Sequence, residues 1–549
     1  VTAAPLDSAS IRKRCHRIHR RLAAALDTAR PDLSPEARHV HCTDILARHL
    51  FRSQLAVVLR PYAETSRKIA PLFSERLPEE LDFAVTATGD ADSTEAVFRS
   101  LDEAVFSEVL EDLATLCREA MPIESEEPPV AFFRLAAEAN ECWRAKIFSR
   151  TPKGYPSLTD RPGHRKMHGA YYTPEAVVRY IVDNALASGS DDAPPLPKSG
   201  NILDPACGGG VFLLGVFLRL HEGTSRPEAI LERLFGVDLD STAVPTTRRT
   251  LFLAALWSVL HRGSLPEEKT LFSWARCLGR NIVSANALLD FPASQEGSSP
   301  EPESFAVVLG NPPYRKERSA KELFAPLAQT SLGGSFRTAR MDLWYYFVHA
   351  SLHWLAPGGR LAFIVPAYWL RGTGAKKMID EMARRARIEE LFLLGDLPVF
   401  PGVGGHHSIM TLRKKTSKEA EPRMTRIRRI VPAKDLALED YFRREQGVET
   451  FEKPVGELFG KHGLHVGRNL GWLRRLEENS VPLGNLGQVR QGIVENPARV
   501  SASAARDHPE WRSGEGVFVL SESDLRELEQ RDPLSPEERS LLKPYLQSS

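Results

Sequence analysis

Asn311, Pro312, Pro313 and Tyr314 stand together directly after the apolar run Phe305-Ala306-Val307-Val308-Leu309-Gly310. An asparagine side chain offers a carbonyl oxygen, and two adjacent prolines remove two backbone donors and hold the chain as an extended turn. Two acceptors, the Asn311 side-chain oxygen and the Pro312 carbonyl, can then face one point. That pairing suits an exocyclic aryl amine, whose lone pair is delocalised into its ring. Accepting both N–H bonds localises the pair on nitrogen and aims it at an electrophile. Tyr314 supplies a flat face on which such a ring can stack. Alone, the tetrapeptide is also compatible with a proline-rich turn beside a core tyrosine, so the rest of the chain decides.

Other residues upstream have the types needed to hold a second molecule. Asn201-Ile202-Leu203-Asp204-Pro205-Ala206-Cys207-Gly208-Gly209-Gly210 runs into Val211-Phe212-Leu213-Leu214. This is a strand, a glycine-rich turn and an apolar helix, a place where backbone can approach a ligand closely. It is not GxGxxG and no Lys-Ser/Thr follows, so neither a dinucleotide site nor a P-loop fits. The Asp204 carboxylate beside the loop suits a positively charged ligand. A second strand, Leu234 to Asp240, ends in acid, and Asp238 is the candidate for ribose hydroxyls, with Asp240 read as a cap for the next helix. Asn286 follows a third strand, where it could meet an adenine edge. Gly169-Ala170-Tyr171-Tyr172-Thr173-Pro174-Glu175 precedes Val177, Val178, Ile181 and Val182 at helical spacing. Thr173 reads as an N-cap and Pro174 as a first-turn residue.

Taken together, these segments occur in one order that resembles the γ class of N6-adenine DNA methyltransferases, including the methylase part of type IIG restriction–modification enzymes. The Asn311 tetrapeptide itself is similar to the (D/N/S)PP(Y/F/W) signature of amino methyltransferases. The likeness covers roughly residues 169–413, and residues from about 470 resemble the start of the family's target-recognition domain. It implies S-adenosylmethionine as cofactor, held by Tyr172, Thr173, Asp204, Pro205, Ala206, Gly208, Asp238 and Asn286, with Asn311 adjoining it. It implies catalysis by Asn311, Pro312 and Pro313 on the target amine, with Tyr314 on one face of an extruded adenine and Phe400 on the other. Asn286 stands where the family often has Asp, and the loop from Gly402 to His407 has a wording of its own. Double-stranded DNA is the implied partner, with other subunits of a restriction or phage-defence system, in the cytoplasm and without a membrane. Two rivals remain: a methyltransferase for a protein glutamine amide or RNA, and a non-catalytic specificity subunit of a defence complex.

The elements that would position these residues alternate, strand with helix, over some 240 residues. That pattern predicts a Rossmann-like, doubly wound α/β fold on a mainly parallel, seven-stranded sheet. Residues 1–150 read as a helical region of unassigned role, with Leu101, Val105, Leu110 and Leu113 on one face of a helix from Ser100 to Arg118. Residues 151–168 read as a polar linker, 315–340 as a mobile cover, 414–470 as a basic connector, and 471–549 as the truncated start of a target-recognition domain.

Bulk properties set limits on function. Of 549 residues, 42% are hydrophobic and 26% charged, and no apolar run approaches the ~18 residues that span a bilayer. The six cysteines form no CxxC pair, which fits a reduced compartment. Cys15, His16, His19, His39, His41 and Cys42 match no standard zinc spacing. Net charge is +1, yet residues 1–60 carry 11 Lys/Arg against 5 Asp/Glu, residues 61–129 carry 5 against 17, and residues 411–490 carry 17 against 11. A DNA partner is expected to meet such local basic patches. Arg413-Lys414-Lys415 and Arg423–Arg429 are basic runs, the latter equally readable as a solvated edge strand.

Overall fold

The run Phe305–Gly310 has no polar side chain, so it is stable only with a ladder on both sides and cover on both faces. In the computed structural model of the chain it is a fully buried strand inside a nine-stranded sheet. The structure describes residues 8–59, 103–121, 130–144, 146–150, 156–160, 173–187, 200–222, 226–264, 266–290, 303–371, 373–400, 406–416, 424–433, 436–460 and 463–468, with scattered residues from 479 to 539. The chain divides into two compact units, Val1–Arg468 and Asn469–Ser549. In the second, the helix Glu522–Arg531 is described. Most of the segments expected to begin a target-recognition domain lie outside the described residues.

In chain order the first unit opens with helices α1 (Ser8–Ala29), α2 (Pro35–Leu59), α3 (Glu103–Ala120) and α4 (Val130–Arg144). A two-stranded antiparallel ladder follows, β1 (Lys146–Arg150) with β2 (Pro156–Asp160). The expected linker over 151–168 is therefore interrupted by a strand, whose backbone groups find partners in β1 rather than in water. Next come α5 (Glu175–Leu186), β3 (Asn201–Asp204), α6 (Val211–His221), β4 (Leu234–Asp238), α7 (Ala243–Leu260), α8 (Glu268–Asn281), β5 (Ile282–Ser284) and β6 (Phe305–Gly310). The series closes with α9 (Leu343–Trp354), β7 (Leu355–Pro366), α10 (Lys376–Arg385), β8 (Ala386–Gly395), β9 (His407–Lys414), β10 (Met424–Ile430) and β11 (Val448–Pro454).

The large sheet runs β11-β10-β8-β9-β7-β6-β3-β4-β5. Strands β7, β6, β3, β4 and β5 are parallel to one another, and β9 lies antiparallel between β7 and β8. The sheet is large and mostly parallel, as expected, but has nine strands rather than seven. The two extra ones come from residues expected to connect domains. β10 pairs in parallel with β8, and β11 closes the edge antiparallel to β10.

Ion pairing explains why this arginine-rich segment becomes a strand inside the sheet. Arg428 lies over the rings of Tyr180 and Phe392, donates to the Tyr180 hydroxyl at 2.9 Å, and sits 3.0 Å from Glu445. Arg413 and Arg360 each place Nε 2.7 Å from Glu389. Lys414 reaches the Leu355 carbonyl at 2.6 Å and Glu303 at 2.7 Å, and Lys415 the Ala383 carbonyl at 2.9 Å. Arg413, Lys414 and Arg428 are buried. The basic runs expected to present a surface to DNA thus place much of their charge inside the protein.

Charge complementarity also shapes the N-terminal helices. Arg14 of α1 pairs with Glu119 of α3 at 2.5 Å, and Arg21 with Asp112 at 2.7 Å. Among the described residues the buried face of α3 is Val109, Leu113, Leu116, Cys117 and Ala120; of the four expected positions Leu113 is in the core and Leu110 is half-buried, while Leu101 and the Val105 side chain lie outside the described residues. The His19 and His39 rings lie 5.8 Å apart, and among the described residues no group of three or more His, Cys, Asp or Glu side chains could hold a metal. No helix among the described residues is long and apolar enough to cross a membrane. α7 is buried almost all round, because the sheet covers one side and the N-terminal helices the other. Phe133 of α4 meets Trp257 of α7 edge-on at 5.9 Å.

Glu389 is the anion that holds Arg360, Arg387 and Arg413, the last at 3.0 Å or closer like the others. Burial pushes its carboxyl up, but Arg360 and Arg413 together hold it below the usual range. Its contribution is therefore present above the ordinary carboxylate pKa and lost as pH falls below it. Glu389→Gln should cost about 3–5 kcal/mol in urea unfolding at pH 7, because buried cations lose their partner. A loss under about 1 kcal/mol would show that the arginines are satisfied without it.

Candidate active site

β3, β4 and β6 end side by side in the sheet, and Asp204, Asp238 and the Asn311 turn stand at those ends. β3 ends on Asp204, which is fully buried. Its Oδ1 accepts from the Ala206 amide at 3.1 Å, while its Oδ2 is buried with no hydrogen-bond partner among the described residues. Gly310, at the end of β6, lies against it: a Cβ there would stand 2.6 Å from Oδ1, and φ is +149°. A side chain at 310 is thus barred twice. Burial pushes the Asp204 carboxyl from 3.8 up to about 8; the Ala206 N–H pulls it down, and nearby Asp238 pushes it up again.

After Pro205 and Ala206 the three glycines do different work. Gly208 has φ +51°, and among the described residues nothing lies within 4 Å of where its Cβ would be. It leaves an open space above the turn. Gly209 packs on Ala137 of α4, and Gly210, with φ +83°, on Thr247 of α7. The turn is tied down by Cys207 N–H to the Val237 carbonyl at 2.9 Å and by the Thr247 hydroxyl to the Gly208 carbonyl at 2.7 Å. Asp238 accepts from the Gly208 amide at 2.7 Å and from the Asp240 amide at 2.8 Å. Asp240 in turn accepts from the amide and hydroxyl of Thr242, but Thr242 itself holds the N-cap position of α7, so Asp240 ties the turn before the helix instead of capping it as expected. Asn286 accepts from the Leu288 amide at 3.0 Å and shapes its own turn.

A buried, under-bonded acid beside an open glycine turn fits a cationic ligand of the S-adenosylmethionine type, whose charge would favour the ionised form of Asp204. The unpaired Oδ2 of Asp204 disfavours an anionic one such as pyrophosphate.

On the other side of the rim, Asn311 and Tyr314 are half-buried and Pro312 is buried. The Tyr314 hydroxyl reaches Asn311 Oδ1 and the Ile364 carbonyl, the latter at 2.9 Å. Asn311 Nδ2 donates to the Thr173 hydroxyl at 3.1 Å. Thr173 is therefore not the N-cap of α5; Pro174 occupies that position, and the threonine hydroxyl serves Asn311 instead. Tyr172 lies outside the described residues. Phe400 is 1% exposed and meets His407 edge-on at 4.9 Å; the same His407 ring lies 6.0 Å from Tyr314. Residues 401–405 between them lie outside the described residues.

The segment after Tyr314 was expected as a mobile cover. It is instead a short 3-10 turn, Glu317–Ser319, and two helices, Lys321–Leu327 and Ser331–Phe336. Its start is fixed by buried Asp342, which accepts from the Arg315 amide at 2.8 Å and from the Tyr368 hydroxyl. Lys316 lies 4.8 Å over the Tyr368 ring. Sequence reasoning named neither Asp342 as an anchor nor Gly310 as a contact of Asp204. The positive φ of Gly310 has no local signature beyond the glycine itself.

Comparison with known proteins gives one family and several relatives. The model for the Eco57I restriction-modification methylase matches residues 232–400. Type II methyltransferase M.TthHB8I of Thermus thermophilus is 28% identical over 352 residues, covering 61% of this chain and 61% of that protein. Adenine-specific methyltransferase PglX of Streptomyces coelicolor is 26% identical over 238 residues, 36% of this chain and 19% of its own. This chain therefore spans less than two thirds of either relative. Among solved structures, the DrdV–DNA complex matches with a TM-score of 0.50 at 15% identity, over 81% of this chain and 45% of that one. A chain described as the modification subunit of a type I restriction enzyme from Vibrio vulnificus also matches at 0.50, with 16% identity, over 87% of this chain and all of that one. These likenesses are of fold.

The folded protein keeps the Asp204 proton up to about pH 8, whereas the unfolded chain releases it near 3.8. The folded state thus binds more protons across that interval, and stability falls as pH rises through it. Asp204→Asn should raise the unfolding free energy at pH 8 by roughly 2–4 kcal/mol and leave it nearly unchanged at pH 4. Equal effects at both pH values would mean that the carboxyl is not carrying this strain.

Proposed function

With residues 232–400 forming an Eco57I restriction-modification methylase domain, we propose that the chain methylates the N6 amine of a specific adenine in double-stranded DNA. The donor in this reading is S-adenosylmethionine, and the setting is a restriction–modification or phage-defence system, alone or with further subunits. The observation that carries the proposal is the Asn311–Tyr314 turn, with its acceptor oxygen fixed at the sheet rim beside a buried acid. The relative named as adenine-specific supports adenine as the base. The match to the restriction-modification methylase family supports DNA as the polymer.

S-adenosylmethionine, when bound, supplies a methyl group on a positively charged sulfur. Asp204, Thr173 and Ala206 would hold its charged end, Asp238 its ribose, Asn286 its base, and the open side of Gly208 leaves it room. An adenine inside a duplex cannot offer its amine to this rim, so the base leaves the stack at a cost of about a few kcal/mol. Tyr314 offsets part of that by stacking, and Phe400 is the proposed second face. Asn311 Oδ1 and the Pro312 carbonyl accept the two amine N–H bonds. An amide oxygen has two lone pairs, so Oδ1 can take the amine while the Tyr314 hydroxyl turns to Ile364. No strong base is needed, because the nitrogen becomes acidic as it gains a fourth bond and its proton passes to water. The acceleration comes from position and from fixed dipoles.

Asn311→Ala should lower methyl transfer to duplex DNA by about a hundredfold or more while cofactor affinity changes little. Tyr314→Phe, which keeps the stacking face but frees Oδ1, should retain most of the rate, whereas Tyr314→Ala should not. Labelled donor with genomic DNA reads the transfer, and calorimetry reads the cofactor. Full activity in Asn311→Ala would remove the proposed role of the turn.

A further inference from the structure

Helix α4 of the N-terminal region reaches the rim with the Arg134 side chain. Arg134 on α4 is 4% exposed, and its guanidinium donates to the Thr173 carbonyl at 2.8 Å. It also lies 3.8 Å from the Glu175 carboxylate in the first turn of α5. Thr173 is itself 2% exposed, and its hydroxyl accepts from Asn311 Nδ2 at 3.1 Å. One turn along α4, on the same helix face, Ala137 backs the glycine turn so closely that a Cβ on Gly209 would stand 2.6 Å from its own. A single helix, outside the residues that match the methylase family, therefore touches both halves of the site.

We infer that Arg134 is a positioning residue for amine transfer, acting through Thr173 to fix which way the Asn311 amide faces. An asparagine amide turned by 180° presents two donors where the reaction needs an acceptor. The Thr173 hydroxyl takes the NH₂ end and so directs Oδ1 outward, the orientation that the Tyr314 hydroxyl also favours. That holds only while Thr173 stays in place. A charge-assisted bond from a buried guanidinium to its carbonyl is stronger than a neutral one and suits the task. The consequence for rate rests on the proposed methyl transfer; the consequence for Asn311 geometry does not.

Two readouts on the 549-residue chain test this. The first is the side-chain amide NMR signal of Asn311, identified by its loss in Asn311→Asp. Arg134→Met and Thr173→Val should each move it, while Arg14→Met on the surface of α1 should not. The second is kinetic. Arg134→Met should lower kcat roughly ten- to a hundredfold with little change in KM for duplex DNA. Arg14→Met should keep the rate, and Arg134→Met combined with Thr173→Val should be no slower than Thr173→Val alone. If Arg134→Met does not fold, Arg134→Lys, which keeps the charge but not the fork, is read in the same two ways. A folded Arg134 variant with the Asn311 signal unmoved overturns the inference, as do fully additive rate losses. No methyl transfer by the unaltered chain would instead sink the proposed function, and the amide signal would still decide the role of Arg134.

Discussion

A carboxylate buried at the end of a central strand, with one of its two oxygens unsatisfied, is the constraint around which this fold is arranged. Burying an unpaired acid is costly, and a protein keeps such a group where something else needs it. At Asp204 the surroundings are built to preserve the burial. Gly310 lets the neighbouring strand end against it without a side chain, and the turn that follows is tied to two further elements. The residue after Gly310 is Asn311, so the strand that seals Asp204 also delivers the turn with the acceptor oxygen. One peptide bond separates the glycine that packs on Asp204 from the asparagine that carries the acceptor oxygen.

Around that rim the supporting layers follow from packing. α7 is apolar on nearly every face because it lies between the sheet and the N-terminal helices, and those helices are thereby brought within reach of the site. Their charge is balanced largely within themselves, with basic α1 set against acidic α3. At the other edge, a cluster of buried arginines around Glu389 and a stacked arginine on Tyr180 carry β9 and β10 into the sheet. The positive charge that the sequence concentrates there is spent on holding strands together more than on meeting a polyanion.

What could be read in the sequence was whatever is encoded within about ten residues. The apolar run before Asn311, the glycine turn after Asp204 and the acid closing the Leu234 strand are local patterns, and the structure brings all three to one rim. Thr173 shows the limit of that reading: Thr-Pro-Glu looks like a helix cap, but the hydroxyl bonds Asn311 far along the chain and the helix starts one residue later. The same holds for Arg428, which reads as surface charge until Tyr180 and Phe392 are placed beneath it. Arg423–Arg429 could be read as a solvated edge strand, but β10 lies one strand inside the edge, and the partners that bury Arg428 are far along the chain. Arg134 had no sequence signal at all among its neighbours on an ordinary helix.

The most direct measurement of the central claim is the identity of the methylated product. DNA incubated with the purified chain and isotopically labelled S-adenosylmethionine would be digested to nucleosides and analysed by mass spectrometry. The account predicts label in N6-methyldeoxyadenosine alone. Label in a methylated cytosine, or in protein with none in DNA, would contradict it.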